Sequence, residues 1–199
     1  MEKYELTNET KTLTDSTVLY RIRALLDIPR HGVKAGDLGG WVEKENNLSQ
    51  FGDAWVSGDA WVYGNACVSG YAWVSNNAKI SGKAWVSNNA KISGDVWVSG
   101  NAEVSGNANI SGNAWVDGDA KVSSNSDYMV VKNTWSSGRW FTYTRSNKMW
   151  KEGCFYGTGE ELIAKAYKDS ELSGRCYETI VRAVETIEAV KAEAEGDAK

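Results

Sequence analysis

Residues 52–123 read GDAWVS, GDAWVY, GNACVS, GYAWVS, NNAKIS, GKAWVS, NNAKIS, GDVWVS, GNAEVS, GNANIS, GNAWVD and GDAKVS. One phrase of six residues is thus repeated twelve times without insertion or deletion. In each hexad the third residue is Ala or Val, the fifth is Val or Ile, and the fourth varies, which is the pattern of a short strand with one buried face. The Ser-Gly-Asn between triplets is typical of a turn, because Gly adopts positive φ freely and Asn tolerates it. Strands this short are stable only when they stack on copies of themselves, so the repeat predicts a solenoid with a shared aliphatic core.

An aliphatic residue followed four positions later by a small one recurs along the array. The first such pairs are Val56 and Ala60, Val62 and Ala66, and Val68 and Ala72. In this the chain resembles the hexapeptide-repeat family of left-handed parallel β-helices. The resemblance implies a mainly β fold with three hexads in each triangular coil, and a left-handed coil, which is an exception to the usual right-handed crossover. A right-handed solenoid is the alternative, but its coils are usually longer and less uniform.

With three hexads per coil, the outward fourth residues form ladders at a spacing of 18. One face carries Trp55, Trp73, Lys91 and Asn109, the next Trp61, Lys79, Trp97 and Trp115, and the third Cys67, Trp85, Glu103 and Lys121. Six of these twelve sites are Trp. That is more apolar area than an outer wall in water requires, so any function of the solenoid is expected to depend on this column.

Composition excludes several classes of protein. The chain of 199 residues has a net charge of −4, which argues against a protein that coats nucleic acid. It has no apolar run of membrane-spanning length, and MEKYELTNET lacks the apolar segment of a signal peptide. Cys67, Cys154 and Cys176 have no disulfide or zinc spacing, so we expect a protein of the reducing cytoplasm.

The segment before the array is expected to cover the first coil. Residues 4–25 alternate as a β-hairpin with its turn at residues 14–16, and such a cap would protect the unpaired strand edges. Residues 40–51 are interpreted as an irregular lead-in coil, with Val42 and Leu48 in the small inward column and Lys44 and Gln50 in its aliphatic partner column. YRIRAL, GDLGGWVEKENNLS and the hexad array together resemble hypothetical hexapeptide-repeat proteins of phages and prophages of gut Firmicutes.

After Ser123 the period ends and an aromatic-rich segment predicts a small antiparallel sheet of three strands, about 128–135, 139–145 and 148–156. Thr158 and Glu161 fit a capping box at the start of a helix. A second helix is predicted from about Ser173 to Ala192. The predicted apolar stripes are Leu162, Ile163, Ala166 and Tyr167 on the first helix, and Tyr177, Ile180, Val184, Ile187 and Val190 on the second. The expected domains are an N-terminal cap (1–39), the β-helix (40–124) and a C-terminal sheet and two-helix module (125–199).

The sequence predicts no catalytic constellation, no metal site and no cofactor. Known enzymes of the hexapeptide-repeat family are acyltransferases, which use a His base, and a carbonic anhydrase, which uses three His ligands. This chain has His31 alone, in a predicted loop, so three-His zinc chemistry is excluded and His31 is expected to be an exposed loop residue. No cysteine has a local His or Asn partner, and the mixed Asn and Asp ladder at the corners is attributed to turn chemistry rather than to calcium.

Three interpretations of the Trp ladders remain: indoles that pack on one another, an oligomer interface, and a platform for a ligand. Aromatic faces beside a cation suit a stacked base with a phosphate, and the C-terminal sheet repeats the combination. The candidate ligand-binding or partner-binding residues are Trp61, Lys79, Trp97, Trp115, Trp73, Lys91, Arg139, Trp140, Tyr143, Arg145, Lys148 and Trp150.

These patterns predict a non-enzymatic binding protein of phage origin that acts in the cytoplasm of the host. It would antagonise a host defence system by sequestering a small anionic nucleotide signal or by gripping a defence protein. A homo-oligomer, dimer or trimer, is expected, with no bulk nucleic acid and no membrane as partner. The alternatives are a structural scaffold and a hexapeptide-repeat acyltransferase that uses His31.

Overall fold

In the computed structural model, residues 2–196 are described, with side chains through residue 194. Within this range the protein is mainly β: a parallel solenoid follows an N-terminal hairpin and leads into an antiparallel sheet and two helices. The strands up to the end of the solenoid are β1 (Tyr4–Thr12), β2 (Val18–Ala24), β3 (Leu38–Val42), β4 (Trp55–Val56), β5 (Trp61–Val62), β6 (Cys67–Val68), β7 (Trp73–Val74), β8 (Lys79–Ile80), β9 (Trp85–Val86), β10 (Lys91–Ile92), β11 (Trp97–Val98), β12 (Glu103–Val104), β13 (Asn109–Ile110), β14 (Trp115–Val116) and β15 (Lys121–Val122).

Each hexad forms one strand of the solenoid, as predicted. Strands pair in parallel with the strand 18 residues further on, as in Trp55 with Trp73 and Lys91 with Asn109. The faces have the strand orders β4-β7-β10-β13, β5-β8-β11-β14 and β6-β9-β12-β15, so the three predicted ladders are confirmed. The inward side chains of the array are buried and form one continuous core. The left hand of the coil stays a prediction from the resemblance.

The lead-in coil is present, but its predicted phase is wrong. Val42 pairs with Val62 and Leu48 bridges to Val68, so both lie in the aliphatic column and not in the small one. Residues of the lead-in coil pair with residues 20 positions later in the chain, instead of 18. The reason is that Leu48 precedes Ala54 by six positions, whereas Val68 precedes Ala72 by four. Lys44 and Gln50 therefore lie outside the inward columns. The backbone N–H of Lys44 donates to Asn47 Oδ1 beside a 3₁₀ turn, and Gln50 Oε1 accepts from the backbone N–H of Lys3.

The N-terminal hairpin covers the start of the solenoid. β1 and β2 pair antiparallel, β2 pairs antiparallel with β3, and β3 pairs in parallel with β5, so the hairpin extends one face of the prism. Lys3 Nζ donates to the carbonyl of Ala54 at 2.7 Å, and the Tyr4 hydroxyl donates to those of Leu48 and Glu45. Burial lowers the pKa of Lys3 to about 8, against the opposing effect of Asp53. The predicted hairpin over residues 4–25 is confirmed.

One outward position of the array is buried. Trp55 belongs to the core, because the edge of the Tyr4 ring packs on its indole at 6.5 Å and β3 crosses beside it. A Cβ at Gly39 would lie 2.7 Å from the Trp55 ring, so only glycine allows β3 to approach this closely. An outward-facing Trp at the first coil thus contributes to the cap and is not part of the outer surface.

The C-terminal sheet has four strands within the described residues, where three were predicted. They are β16 (Tyr128–Lys132), β17 (Trp140–Thr144), β18 (Met149–Glu152) and β19 (Phe155–Gly157), paired antiparallel in that order. The predicted strand over 148–156 is divided by a turn at Gly153, whose φ of 52° requires the left-handed region. This turn folds β19 back onto β18.

Two helices cover one face of this sheet: α1 (Gly159–Asp169) and α2 (Glu171–Gly196). The Thr158 hydroxyl accepts from the backbone N–H of Glu161, which confirms the capping box. The module core contains Leu162, Ile163 and Ala166 of α1, Tyr177, Val181 and Val184 of α2, and Phe141, Tyr143 and Trp150 of the sheet. Tyr167, Ile187 and Val190, which were assigned to the apolar stripes, are exposed.

The opposite face of the sheet closes the last coil of the solenoid. Tyr128 and Val130 pack on the solenoid core, whereas Met129 and Val131 of the same strand pack on the module core. Three backbone N–H groups of the last coil donate to side-chain oxygens: Asn109 to Asn125 Oδ1, Trp115 to Thr142 Oγ1 and Lys121 to Ser146 Oγ. No helix among residues 2–196 is both long and apolar enough to cross a membrane.

Candidate functional site

A groove of about 620 Å³ runs along the face that carries Trp73 and Lys91. Two neighbouring ladders at 18-residue spacing form its floor: Tyr71, Asn89 and Asn107 at a corner of the coil, and Trp73, Lys91 and Asn109 on the face. The rungs of such ladders are about 4.8 Å apart, so three rungs give an elongated floor. Arg30 and His31 complete the lining from above.

The loop that carries Arg30 and His31 is held by local structure. Ile28 and Val33 form an antiparallel bridge, and a 3₁₀ turn over Pro29–His31 ends at Gly32, which has a φ of 68°. Pro fits the first position of such a turn because it has no N–H to leave unpaired. The loop therefore presents two adjacent side chains to the solenoid face.

These two side chains cover the aromatic rings of the groove. The His31 ring lies 5.4 Å from that of Trp73, and the Arg30 guanidinium lies 4.8 Å from the Tyr71 ring centre. Arg30 Nη2 also donates to Asn89 Oδ1 at 2.8 Å. This end of the groove is thus closed by contacts between the loop and the solenoid.

His31 is half-buried, which corrects the prediction of an exposed loop residue. Burial lowers its pKa, the Arg30 and Lys91 charges lower it further, and Asp53 and the Tyr71 backbone oppose the shift. Its Nε2 is buried and has no hydrogen-bond partner among the described residues. The imidazole is therefore a neutral ring that packs on Trp73.

The groove combines positive charge with amides. Arg30 and Lys91 are its cations, and the side chains of Asn89 and Asn107 form a ladder bond of 3.2 Å. Among the described residues that line it there is no carboxylate. Guanidinium and ammonium groups bind phosphate, and amides can donate and accept along the edge of a heterocycle. This arrangement suits a small anion with a polar ring.

Predicted candidates on the next face are largely engaged with one another. The Lys79 ammonium lies 4.5 Å from the Trp61 ring and 4.7 Å from the Trp97 ring, and Trp97 packs on Trp115 at 5.0 Å. The column continues to Lys11 above Trp41 and Trp61, and to Lys151, which lies 4.2 Å from Trp115. The Lys79 ammonium is thus placed for cation–π packing, and a phosphate would have to compete with two indoles for this ammonium.

The structure brings three of the C-terminal candidates, Tyr143, Arg145 and Lys148, to one groove and places Arg139, Trp140 and Trp150 elsewhere. Trp150 and Tyr143 lie in the module core with their rings 5.1 Å apart. Trp150 is almost fully buried, which corrects its assignment as a ligand contact, whereas Tyr143 also lines a groove of about 560 Å³. Arg145 Nε pairs with Glu188 at 2.6 Å, and Lys148 lies near it at a turn with a φ of 55°. The exposed members are Lys148, Trp140 and Arg139, whose guanidinium lies 3.7 Å from the buried carboxylate of Glu152.

Corner polar groups and cysteines form no further chemical centre. Asn77 donates to Asp95 at 2.9 Å and Asn101 to Asp119 at 2.8 Å, which are bonds between successive coils. Residues 2–196 contain no group of three His, Cys, Asp or Glu side chains placed to hold a metal ion. Burial raises the pKa of the Cys67 thiol, which disfavours the reactive thiolate.

The sequence placed Trp73, Lys91 and Asn109 in one ladder, but the other five residues of the groove were not predicted. Tyr71, Asn89 and Asn107 occupy the second hexad position at the same 18-residue spacing, and this spacing is the signal that places them in a ladder beside Trp73. Arg30 and His31 reach the groove through a loop of irregular sequence. Trp41 above Trp61 was hidden by the 20-residue offset of the lead-in coil.

Comparison with known proteins supports the repeat architecture. A protein-family profile described as YdcK beta solenoid repeat matches residues 60–76, which is about one coil of the array. A comparison with curated proteins found no match for the chain. The similarity is therefore to a β-solenoid repeat, in agreement with the fold.

Proposed function

We propose that this protein is a non-enzymatic binding protein that holds a small anionic nucleotide in the groove formed by Arg30, His31, Tyr71, Trp73 and Lys91. One observation carries the proposal: two cations, three Asn side chains and three rings line one elongated groove that has no carboxylate among its described lining residues. This lining is electropositive on a chain whose net charge is −4, so it is a local feature and not a general property of the surface.

Each part of the lining has a role in this proposal. The exposed Lys91 ammonium binds a phosphate, and Arg30 exchanges its bond with Asn89 for a bidentate bond to phosphate oxygens. Asn107, Asn109 and the released Asn89 pair with the edge of the base. The Tyr71 ring, half exposed under Arg30, supplies a stacking face once the guanidinium has moved.

Binding without turnover is supported by the state of His31. A general base must reach the proton that it removes. The Nε2 atom of His31 is buried and has no hydrogen-bond partner among the described residues, so it is not accessible to a substrate proton in this arrangement. The alternative, an acyltransferase that uses His31, predicts acetyl-CoA turnover that disappears in His31→Ala.

The test is calorimetry of the native protein with defined nucleotides: AMP, ADP, cyclic di-AMP, cyclic di-GMP and cyclic triadenylate. We expect at least one to bind with a Kd of about 10 µM or below. Lys91→Ala should weaken this binding about 10-fold or more, because it removes a charge-assisted bond. The matched control is Lys83→Ala, which removes an exposed lysine of the solenoid outside the groove. Absence of heat for all five nucleotides would overturn the proposal.

The biological setting is part of the same proposal. The resemblance of YRIRAL, GDLGGWVEKENNLS and the hexad array to phage and prophage proteins supports a role in the cytoplasm of an infected host. There, sequestration of a nucleotide signal would antagonise a defence system that depends on it. Nucleotide released intact from protein purified out of infected cells and then denatured is the expected result.

A second candidate, a scaffold or partner-binding protein, is favoured by the exposed apolar side chains of α2. Leu172, Ile187 and Val190 are between 40% and 63% exposed. Assembly by end-to-end stacking of solenoids is disfavoured, because both ends are covered by the chain itself. Light scattering separates the candidates: a scaffold would form large assemblies, whereas the binding protein stays a monomer or small oligomer with or without nucleotide.

A further inference from the structure

A second groove, of about 370 Å³, lies where the solenoid meets the C-terminal module. Three indoles line it: Trp97 and Trp115 from successive coils, and Trp140 from the start of β17. Its other side chains that matter here are Asp95, Asn113 and Arg139. It lies on a different face from the Trp73 and Lys91 groove, and its chemistry differs.

Two of the three indoles of this groove, those of Trp97 and Trp140, are open to water. Trp97 is 36% exposed and Trp140 is 39% exposed, whereas Trp55 and Trp150 are almost fully buried. Trp97 and Trp115 are 5.0 Å apart and tilted by 56°, so together they form one wall, and Trp140 stands on the module side. Exposed aromatic faces of this area are a feature of binding surfaces, because burying them releases water from apolar surface.

Polar groups at the rim are balanced in charge. The Asp95 carboxylate accepts from the Asn77 amide at 2.9 Å and keeps a further oxygen for a ligand. The Arg139 guanidinium lies 3.7 Å from the buried Glu152 carboxylate, but Lys165 approaches the same carboxylate at 3.7 Å, so Glu152 is shared by two cations and Arg139 still opposes the charge of Asp95. Asp95 would repel an anionic ligand, and Arg139 would repel a cationic one. Asn113 adds an uncharged donor and acceptor.

We propose that this groove binds a neutral carbohydrate. A sugar ring has apolar C–H faces that pack on indoles and hydroxyl groups that need both donors and acceptors around the ring edge. The rings of Trp97, Trp115 and Trp140 supply the surface on which the C–H faces pack. The side chains of Asp95, Asn113 and Arg139 supply the hydrogen-bond donors and acceptors. The open, shallow form of the groove suits a short stretch of a longer chain more than a single enclosed sugar.

The experiment titrates the full chain with neutral hexasaccharides, namely cellohexaose, chitohexaose, xylohexaose, mannohexaose and maltohexaose, by calorimetry and Trp fluorescence. At least one is expected to bind with a Kd of about 1 mM or below. Trp140→Ala should weaken that binding about 10-fold or more, as truncation of a central aromatic contact does. Asp95→Asn, which keeps the shape but removes the charged acceptor, should weaken it less.

Trp85→Ala is the matched control, because Trp85 is the most exposed indole of the solenoid and lies on another face. Sugar binding by Trp85→Ala should equal that of the wild type. The proposal is overturned if no neutral hexasaccharide binds, if binding is unchanged in Trp140→Ala, or if the anionic hexagalacturonate binds in place of the neutral chains.

Discussion

At the scale of single residues, the corner of each coil depends on one backbone conformation. The first residue of the hexad has positive φ, and in ten hexads it is Gly. In the two NNAKIS hexads it is Asn, with φ of 60° at Asn76 and 56° at Asn88. Asn is the side chain that best tolerates this region, so these two hexads keep the corner while changing its residue.

Asn88 therefore tests the corner directly. Asn88→Ala is expected to destabilise the protein by about 1–2 kcal/mol, because a Cβ without a local polar partner is strained in the left-handed region. Asn88→Gly should change stability by less than about 0.5 kcal/mol, because Gly adopts this φ without strain. Urea unfolding followed by circular dichroism measures both. Equal losses in the two variants would show that the Asn side chain, and not the backbone conformation, holds the corner.

The environment of a residue could be predicted from the sequence where the repeat determines it, but not where a segment far away in the chain covers it. The 18-residue ladders follow from a period that is visible in the chain, and every predicted rung pair from Trp55 to Lys121 is present. The burial of Trp55 depends on Tyr4 and Gly39, and that of Trp150 on helices packed from later in the chain. Both look like surface aromatics in the sequence, because their cover lies far away along it.

At the scale of elements, the solenoid has a direction, and its caps match that direction. Each coil donates its N–H groups to the carbonyls of the next coil, as Trp55 does to Ala72. The first coil therefore has free carbonyls and the last coil has free N–H groups. Lys3 and Tyr4 supply donors at the first end, and Asn125, Thr142 and Ser146 supply acceptors at the other. Unpaired backbone groups at either end would otherwise be costly or open to pairing with another chain.

Thr142→Val tests the acceptor cap. Thr142 is buried, and its Oγ1 accepts from the Trp115 N–H at 2.8 Å. Valine keeps the shape but leaves this N–H without its acceptor, so we expect a loss of about 1–3 kcal/mol. Thr10→Val on the exposed part of β1 is the control and should be nearly neutral. An unaltered urea midpoint for Thr142→Val would mean that the last coil does not need this bond.

The sequence predicted that both ends are capped but not how. A hairpin and a terminal module are visible as breaks in the hexad period. The individual caps are single polar side chains, such as Thr142 and Asn125, that meet the solenoid only after the module has folded on it. Likewise, the first groove joins Arg30 to Asn89, two residues whose proximity depends on the course of a loop. No periodic signal marks such contacts.

At the scale of the whole molecule, an ion pair links the solenoid to the module. Lys151 of β18 donates to Asp117 of the last coil at 2.8 Å, and both side chains are largely buried. The Lys151 ammonium also lies over the Trp115 ring. The same Asp117 accepts from the Ser99 hydroxyl and from the Gly118 N–H. This carboxylate thus connects two coils and the module.

The pH dependence of stability tests this link. Burial alone would raise the pKa of Asp117, but hydrogen bonds from Lys151, Gly118 and Ser99 outweigh it and hold the pKa below the ordinary 3.8. The stabilising contribution is therefore fully present above that ordinary value and is lost as the pH falls through the lower folded-state pKa. Asp117→Asn should lose about 1–3 kcal/mol at neutral pH, and its difference from the wild type should shrink below about pH 4.

Urea midpoints measured from pH 2.5 to pH 7 for wild type, Asp117→Asn and the exposed control Asp59→Asn give this difference. The comparison removes the effects of other carboxylates with lowered pKa, such as Asp127, because they are shared by all three proteins. Asp59→Asn should follow the wild type at every pH. If the gap between Asp117→Asn and the wild type is the same at pH 3 as at pH 7, the Asp117 charge does not stabilise the junction. The module would then be held on the solenoid by the packing of β16 and β17 and by the acceptor caps.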